Sequence, residues 1–372
     1  MCVAIIITAR PSYAKAKTVI AALLARGVDV QILACASALL ERYGKVVDVI
    51  RKDFPDVPIT EIWSTLEGAN LVTGVRETGA LCAELAGRLA SGSYDGAVVI
   101  ADRHEVLGAA QAVAYQHIPL VHLQGGERTG SIDDKVRDSI TQLADLHCVC
   151  TPRAAMRVYG LTGQWDAIHV TGCPSIDLAK QAQDEPAVTT DELGGAGASV
   201  DLSQPFVVVV QHSVTSEADH AAAQMAATLD GLGDLPAVVW WPGEDAGADA
   251  MSKVIRIRPN LHTVRNLPPA RFLRLLTQAG CLVGNSSAGI RECSYLGVPA
   301  VNIGTRQQGR ERGPNVVDVP HEAERIWDAV TDQMQHGPYQ SSALYGHGDA
   351  GEQIAEVIVG QRVSSYSRAV GQ

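Results

Sequence analysis

Short, unbroken apolar runs recur along this chain, and each leads through a polar break into apolar residues at helical spacing. The first is VAIIIT, which passes through ARPSYAK into KAKTVIAALLARG, closed by Gly27. VDVQILAC follows, then a helix expected over Thr78–Ser91, the strand GAVVIAD, a helix over His104–Gln116, the strand PLVHLQ, a helix over Asp133–Asp145 and the strand LHCVCT. A strand with no polar face has no side to turn to water. It needs a sheet covered on both faces, and strands joined through helices run parallel.

The alternation stops at Lys180–Pro205, where QAQDEPAVTTDELGGAGASVDLSQP has little periodicity and is rich in Asp, Gly, Ala and Pro. It restarts with PFVVVVQHS, a helix over Asp219–Leu229 and PAVVWWPG, then a helix over Pro269–Ala279, CLVGN, a helix over Ser287–Leu296, and PAVNIGTR. Helices over Ala323–Gln335 and Gly351–Val359 close the chain. Two α/β domains of similar plan are therefore expected: residues 1–180, a linker or exposed excursion at 181–204, and residues 205–372, with the last helix able to pack back on the first domain. Ligands of such sheets bind outside the C-terminal ends of the strands, which places the expected site in a cleft between the domains.

Composition narrows the partners. The 372 residues are 46% apolar and 19% charged, as in a soluble globular protein with a sizeable core. A net charge of −11 weighs against nucleic acid but leaves room for a small phosphorylated ligand beside a local arginine cluster. No apolar stretch reaches bilayer length, and MCVAIIITARP reads as a first strand, with neither the basic flank nor the cleavage site of a signal peptide. Eight cysteines without C-x-x-C or zinc spacing read as free thiols in a reducing compartment, so a cytoplasmic protein with no membrane partner is expected.

The polar residues fall just after the strands: Arg10; Asp102, His104 and Glu105; Gln124 to Asp134; His212 and Ser213; and Asn285 to Ser287. Any one of these is explained as readily by helix capping, but five clusters at strand ends favour a shared site. In GNSSAGIRE, Asn285 or Ser286 can cap a helix beginning near Ser287, where amides and hydroxyls suit a diphosphate, and Glu292 lies where a carboxylate could accept from a ribose diol. A plain capping box reads equally well. TRQQGRERG gathers Arg306, Arg310 and Arg312 in one loop, fit either to close over a diphosphate or to stand solvated with Glu311 as partner. Asp102, Asp133 and Asp134 could meet and divide acid and base roles. A metal held by His122, Glu127 and the aspartates matches no recognised spacing. The first strand lacks G-x-G-x-x-G and no G-x-S-x-G occurs, which disfavours a nicotinamide or flavin cofactor and serine acyl transfer.

Taken in order, TARPSYAK, VVIADRHEVLGAA, VHLQGGERTGSIDDKVRDSITQLADLHCVCT, VTGCPSID, QHSVTSE, GNSSAGIRE and GVPAVNIGTRQQGRERGPNVV resemble the hydrolysing, sialic-acid-pathway branch of the UDP-N-acetylglucosamine 2-epimerases. The resemblance spans Arg10 to about Val317. It implies a GT-B-like fold of two Rossmann-type domains, UDP held mainly by the second, no cofactor or metal, and a homodimer or homotetramer. It also implies a two-step reaction: UDP leaves C1 as a base takes the C2 proton, and water adds to the resulting 2-acetamidoglucal to give N-acetylmannosamine.

Carried over by position, Asp102, Asp133 and His212 fall on catalytic positions, Arg10 on a diphosphate-side arginine, and Ser286, Ser287, Gly289 and Glu292 in the nucleotide-binding turn and helix. The arginine loop adds Arg306 and Arg310. Two departures stand out. Where relatives have His-Ile-Glu-Gly-Gly-Glu, this chain has Gln124, an amide that cannot exchange a proton at working pH. Asp102 and Asp133 would then carry both proton transfers, or Glu127 would reach in, or the substrate would be a modified UDP-amino sugar. TARPSYAK departs as well, on the sugar side. Two other classes share these features: a GT-B glycosyltransferase, which needs an acceptor, and a non-catalytic UDP-sugar sensor, which yields no product.

Overall fold

The structure is a computed structural model and describes residues 1–66, 70–243 and 246–360. Contacts divide it into two units. The described part of the first comprises residues 1–66, 70–127, 133–177 and 346–360. Among the described residues its sheet holds β1 (Cys2–Ile7), β2 (Asp29–Cys35), β3 (Ile59–Ile62), β4 (Gly96–Ile100), β5 (Leu120–Leu123), β6 (Leu146–Val149) and β7 (Ile168–Val170). Their order is β3-β2-β1-β4-β5-β6-β7, all parallel.

The apolar runs are unbroken because both faces are covered. Ile5, Ile7, Val98 and Ile100 join one core with Val19, Ile20 and Leu23 of the helix Arg10–Ala25 and with Ile354 and Ile358 of the helix Ala350–Gly360. The alternate residues Ala4, Ile6, Ala97 and Val99 pack on the other side with Leu81 and Leu85 of Leu71–Ala90 and Ala109 and Val113 of His104–Tyr115. The C-terminal helix is thus part of the first unit. Asp177 ties it down, accepting from the amides of Ala350 and Gly351 at 2.8 and 2.7 Å and from Thr18 Oγ1 at 2.8 Å.

The described part of the second unit comprises residues 128–132, 178–243 and 246–345. Its strands are β8 (Ala196–Gly197), β9 (Val207–Val210), β10 (Ala237–Trp240), β11 (His262–Val264), β12 (Cys281–Gly284), β13 (Ala300–Ile303) and β14 (Val316–Val319), ordered β14-β13-β12-β9-β10-β11-β8. Only β8 is antiparallel among these described strands. Residues 181–204 are mostly exposed but hold some regular structure: the short helix Thr190–Leu193 carries a capping box, β8 pairs with β11, and Val188, Leu193 and Val200 are buried. The end of the expected second domain, 361–372, lies outside the described residues.

Both sheets follow the Rossmann order, and two such units make the architecture GT-B-like. In each the chain runs outward from a central strand and then returns to the other side of it, so a crevice opens at the C-terminal ends of two neighbours. Those neighbours are β1 and β4 in the first unit and β9 and β12 in the second.

Candidate active site

In the first unit Arg10 and Asp102 stand at the two lips of this crevice. Arg10 opens the helix after β1 ahead of Pro11, and burial, with no charge partner contributing, lowers its guanidinium to about 10. Such a cation has surrendered water, with no anion among the described residues shown to offset the loss. At the ends of β4 and β5, Ala101 and Gln124 are left-handed, with φ of 66° and 67°. The conformation costs a residue bearing a Cβ about 1–2 kcal/mol and persists only where the surroundings impose it. They do so here. Ala101 N donates to Leu123 O and Gln124 N to Cys148 O, each at 2.9 Å, and His122 Nε2 meets Ala101 O at 2.9 Å.

Asp102 follows this turn with a side chain 17% exposed, and its carboxylate accepts from Arg137. Arg137 lies on the helix Asp133–Leu143 and is buried. It also donates to Asp134 Oδ1 at 2.8 Å and to the Glu127 carbonyl at 2.6 Å. One arginine therefore joins two of the polar segments seen in the sequence, after β4 and after β5, and fixes the Asp102 carboxylate from behind. Asp133, half-buried, opens the same helix, and Glu127 is buried, its backbone carbonyl accepting from Arg137.

Gln124 is 2% exposed. Its Nε2 donates to Cys173 Sγ at 2.8 Å, Cys173 Sγ meets Ser175 Oγ at 2.9 Å, and its Oε1 is buried with no hydrogen-bond partner among the described residues. An amide can donate to the sulfur, whereas an ionised carboxylate cannot.

The metal reading fails at His122, whose Nε2 is engaged by Ala101 O and whose Nδ1 meets Thr141 Oγ1 at 3.2 Å. Among the described residues no group of three His, Cys, Asp or Glu side chains is placed to hold an ion.

In the second unit His212 follows β9 and Asn285–Ser287 follow β12. Gly284, at φ 132°, lets the strands approach so closely that a Cβ there would lie 2.2 Å from Val210 O. Beyond it the Asn285 side chain prolongs the ladder: Oδ1 accepts from His212 N at 2.7 Å and Nδ2 donates to His212 O at 2.8 Å. Asn285 is thus not the cap. Ser286 is, accepting from Ala288 N at 3.2 Å, with Ser287 as the first helical residue. The helix expected over Ser287–Leu296 is two short ones, Ser287–Ile290 and Glu292–Leu296, broken at Arg291. Glu292 opens the second, and its Oε2 is buried without a hydrogen-bond partner among the described residues. Gly289 faces the sheet, since a Cβ there would meet Ala300 and Leu282 at 3.3 Å, so close packing accounts for the glycine.

The arginine loop closes on the same turn. Arg306 Nη1 and Gln307 Nε2 donate to Asn285 O at 3.2 and 2.9 Å, and Arg310 Nη1 donates to Gln307 Oε1 at 2.5 Å. Arg312 pairs with Asp318, with Nη2 to Oδ1 at 2.9 Å. Three residues here were not singled out from sequence: Arg137, Gln307, and Asn285 as a bridge. Only Arg137 left a signal, its spacing of three residues from Asp134 on a helix.

Comparison with known proteins gives consistent matches. The model of the UDP-N-acetylglucosamine 2-epimerase family matches residues 21–359. The UDP-N,N'-diacetylbacillosamine 2-epimerase (hydrolyzing) of Legionella pneumophila is 28% identical over 269 residues, 71% of this chain and 70% of that protein. The UDP-N-acetylglucosamine 2-epimerase of Neisseria meningitidis serogroup B is 29% identical over 274 residues, 71% of each. A crystal structure of the Neisseria meningitidis UDP-GlcNAc 2-epimerase bound to UDP-GlcNAc is similar with a TM-score of 0.79 at 16% identity, over 97% of this chain and 100% of that one. The Methanocaldococcus jannaschii enzyme in complex with UDP-GlcNAc and UDP gives 0.78 at 16% identity, over 96% and 99%.

Proposed function

This chain belongs to the UDP-N-acetylglucosamine 2-epimerase family, and from that premise we propose that it is a hydrolysing enzyme, converting UDP-N-acetylglucosamine and water to N-acetylmannosamine and UDP. The observation that carries the reading is Asp102, a partly open carboxylate held from behind by a buried arginine at the switch point of the first sheet.

The C2 proton of a sugar is not acidic beside an ordinary acetal carbon. It becomes removable as positive charge grows at C1 while the diphosphate departs. A fixed carboxylate favours that charge and can accept the proton. Asp102 and Asp133 are assigned these transfers, and Gln124 serves as a hydrogen-bonding group. Water then adds across the C1–C2 double bond of the 2-acetamidoglucal, its hydroxyl to C1 and its proton to C2 on the face opposite the one deprotonated. The departing UDP is assigned to Arg10, the Ser286–Ser287 turn, Gly289, Glu292, Arg306 and Arg310, and His212 is assigned with the catalytic groups. These groups raise the rate insofar as they hold UDP more tightly as it leaves than in the bound substrate.

A second reading keeps the chemistry and changes the sugar to a UDP-linked diacetamido sugar. It is favoured by Gln124, by the departure at TARPSYAK, and by the Legionella pneumophila relative that is named for such a substrate. The test is product identification by NMR with each UDP-sugar and no acceptor. Free N-acetylmannosamine with stoichiometric UDP supports the first reading. UDP-N-acetylmannosamine would remove the hydrolytic step, and a need for an acceptor would make the chain a transferase.

A further inference from the structure

We propose that Gln307 is a positioning residue that acts through Arg310 and Asn285 to present the arginine loop to the departing diphosphate, an inference that rests on the nucleotide reading above. Gln307 is 1% exposed, and its amide is used at both ends. Nε2 donates to Asn285 O at 2.9 Å while Oε1 accepts from Arg310 at 2.5 Å. Asn285, equally buried, holds the backbone of His212 at both N–H and C=O. Two neutral amides thus connect the exit of β9, the exit of β12 and the loop after β13 in one chain of hydrogen bonds.

Their neutrality has a chemical point. A loop that holds a diphosphate needs its guanidinium planes fixed in advance, because ordering them during the reaction costs rotamer entropy. A carboxylate at 307 would orient Arg310 but would also cancel its charge. An amide orients it without doing so. Arg312 of the same loop shows the other solution, with Asp318 as its partner. The amide is also the one group of this length that gives a proton to Asn285 O and takes one from Arg310. A carboxylate could not donate to that carbonyl, and Asn falls one methylene short.

The test is calorimetric titration of UDP into the full chain as native protein, Gln307→Met, Arg310→Ala and the double variant. Each single change is expected to weaken UDP about tenfold, the worth of one charge-assisted contact, and the double variant to be no weaker than the worse single. Losses that multiply in the double variant, or native-like binding by Gln307→Met while Arg310→Ala is weakened, would overturn the inference and leave the nucleotide reading standing. Absence of UDP binding by native protein would overturn both. If Gln307→Met does not fold, Gln307→Asn keeps the polarity, loses the span and carries the same expectations.

Discussion

Lowering the pH from 7 to 5 is expected to cost the first unit about 4 kcal/mol of stability through two histidines, His122 and His147. They are in register on β5 and β6 and are 0% and 1% exposed. Burial lowers His122 from 6.5 to about 4 and His147 from 6.5 to about 3, the latter also through His122 and His169. Both rings are thus neutral in the fold, while in the unfolded chain each takes a proton near 6.5. The unfolded state therefore binds more protons as the pH falls below 6.5. Stability is intact above that value and declines toward pH 4 for His122 and pH 3 for His147. At 1.36 kcal/mol per tenfold, the full losses are about 3 and about 5 kcal/mol, and each is about 2 kcal/mol by pH 5.

His147→Leu isolates one of them. His147 Nδ1 is buried with no hydrogen-bond partner among the described residues, so an apolar side chain strands nothing there. Urea unfolding of the native and variant proteins, followed by circular dichroism at pH 7 and pH 5, should show the pH difference shrinking by about 2 kcal/mol in the variant. Carboxylates that titrate in the same range cancel in this comparison. An unchanged difference would refute the claim that His147 is held neutral by its burial.

Three other perturbations address the candidate site. Arg137→Leu leaves the carboxylates of Asp102 and Asp134 without the guanidinium that joins them, and urea unfolding should show a loss of about 3–5 kcal/mol; a loss below 1 kcal/mol would mean that water replaces the arginine freely. Asp133→Asn should lower turnover by about 10²–10⁴ with UDP affinity within about twofold, and equal losses of both in a folded protein would remove Asp133 from proton transfer. Gln124→Glu places a carboxylate against the Cys173 thiol in a buried position and should cost about 1–3 kcal/mol of stability while turnover falls; a gain in turnover would show that the amide limits the reaction.

The central strands were legible because burial on both faces writes an uninterrupted apolar run: β1, β4, β5, β9 and β12 each occupy the middle of a sheet and stand out as VAIII, GAVVI, LVHL, VVVV and CLVG. Strands β3 and β14 lie at sheet edges, where ITEI and VVDV keep polar residues toward water and carry no such run. β7 and β11, with three residues each, are too short for a period to show. The same limit applied at the candidate site. Strand ends marked Arg10, Asp102, His212 and Ser286 by position, because a doubly wound sheet delivers its polar loops to one edge. Arg137 sits a full turn inside a helix, and Gln307 lies inside a loop already rich in arginine, so only three-dimensional packing shows which carboxylate or guanidinium each one holds. The break at Arg291 is likewise tertiary, since nothing in SSAGIRECSYL forbids a single helix.

The most direct test of the proposed chemistry is proton NMR of the reaction run in D₂O on UDP-N-acetylglucosamine. Elimination followed by hydration requires that the released N-acetylmannosamine carry deuterium at C2, with UDP formed in equal amount and no acceptor present. Released sugar that keeps its C2 proton and the gluco configuration would mean that the C1–oxygen bond is cleaved without deprotonation, and Asp102 and Asp133 would then have no proton to move.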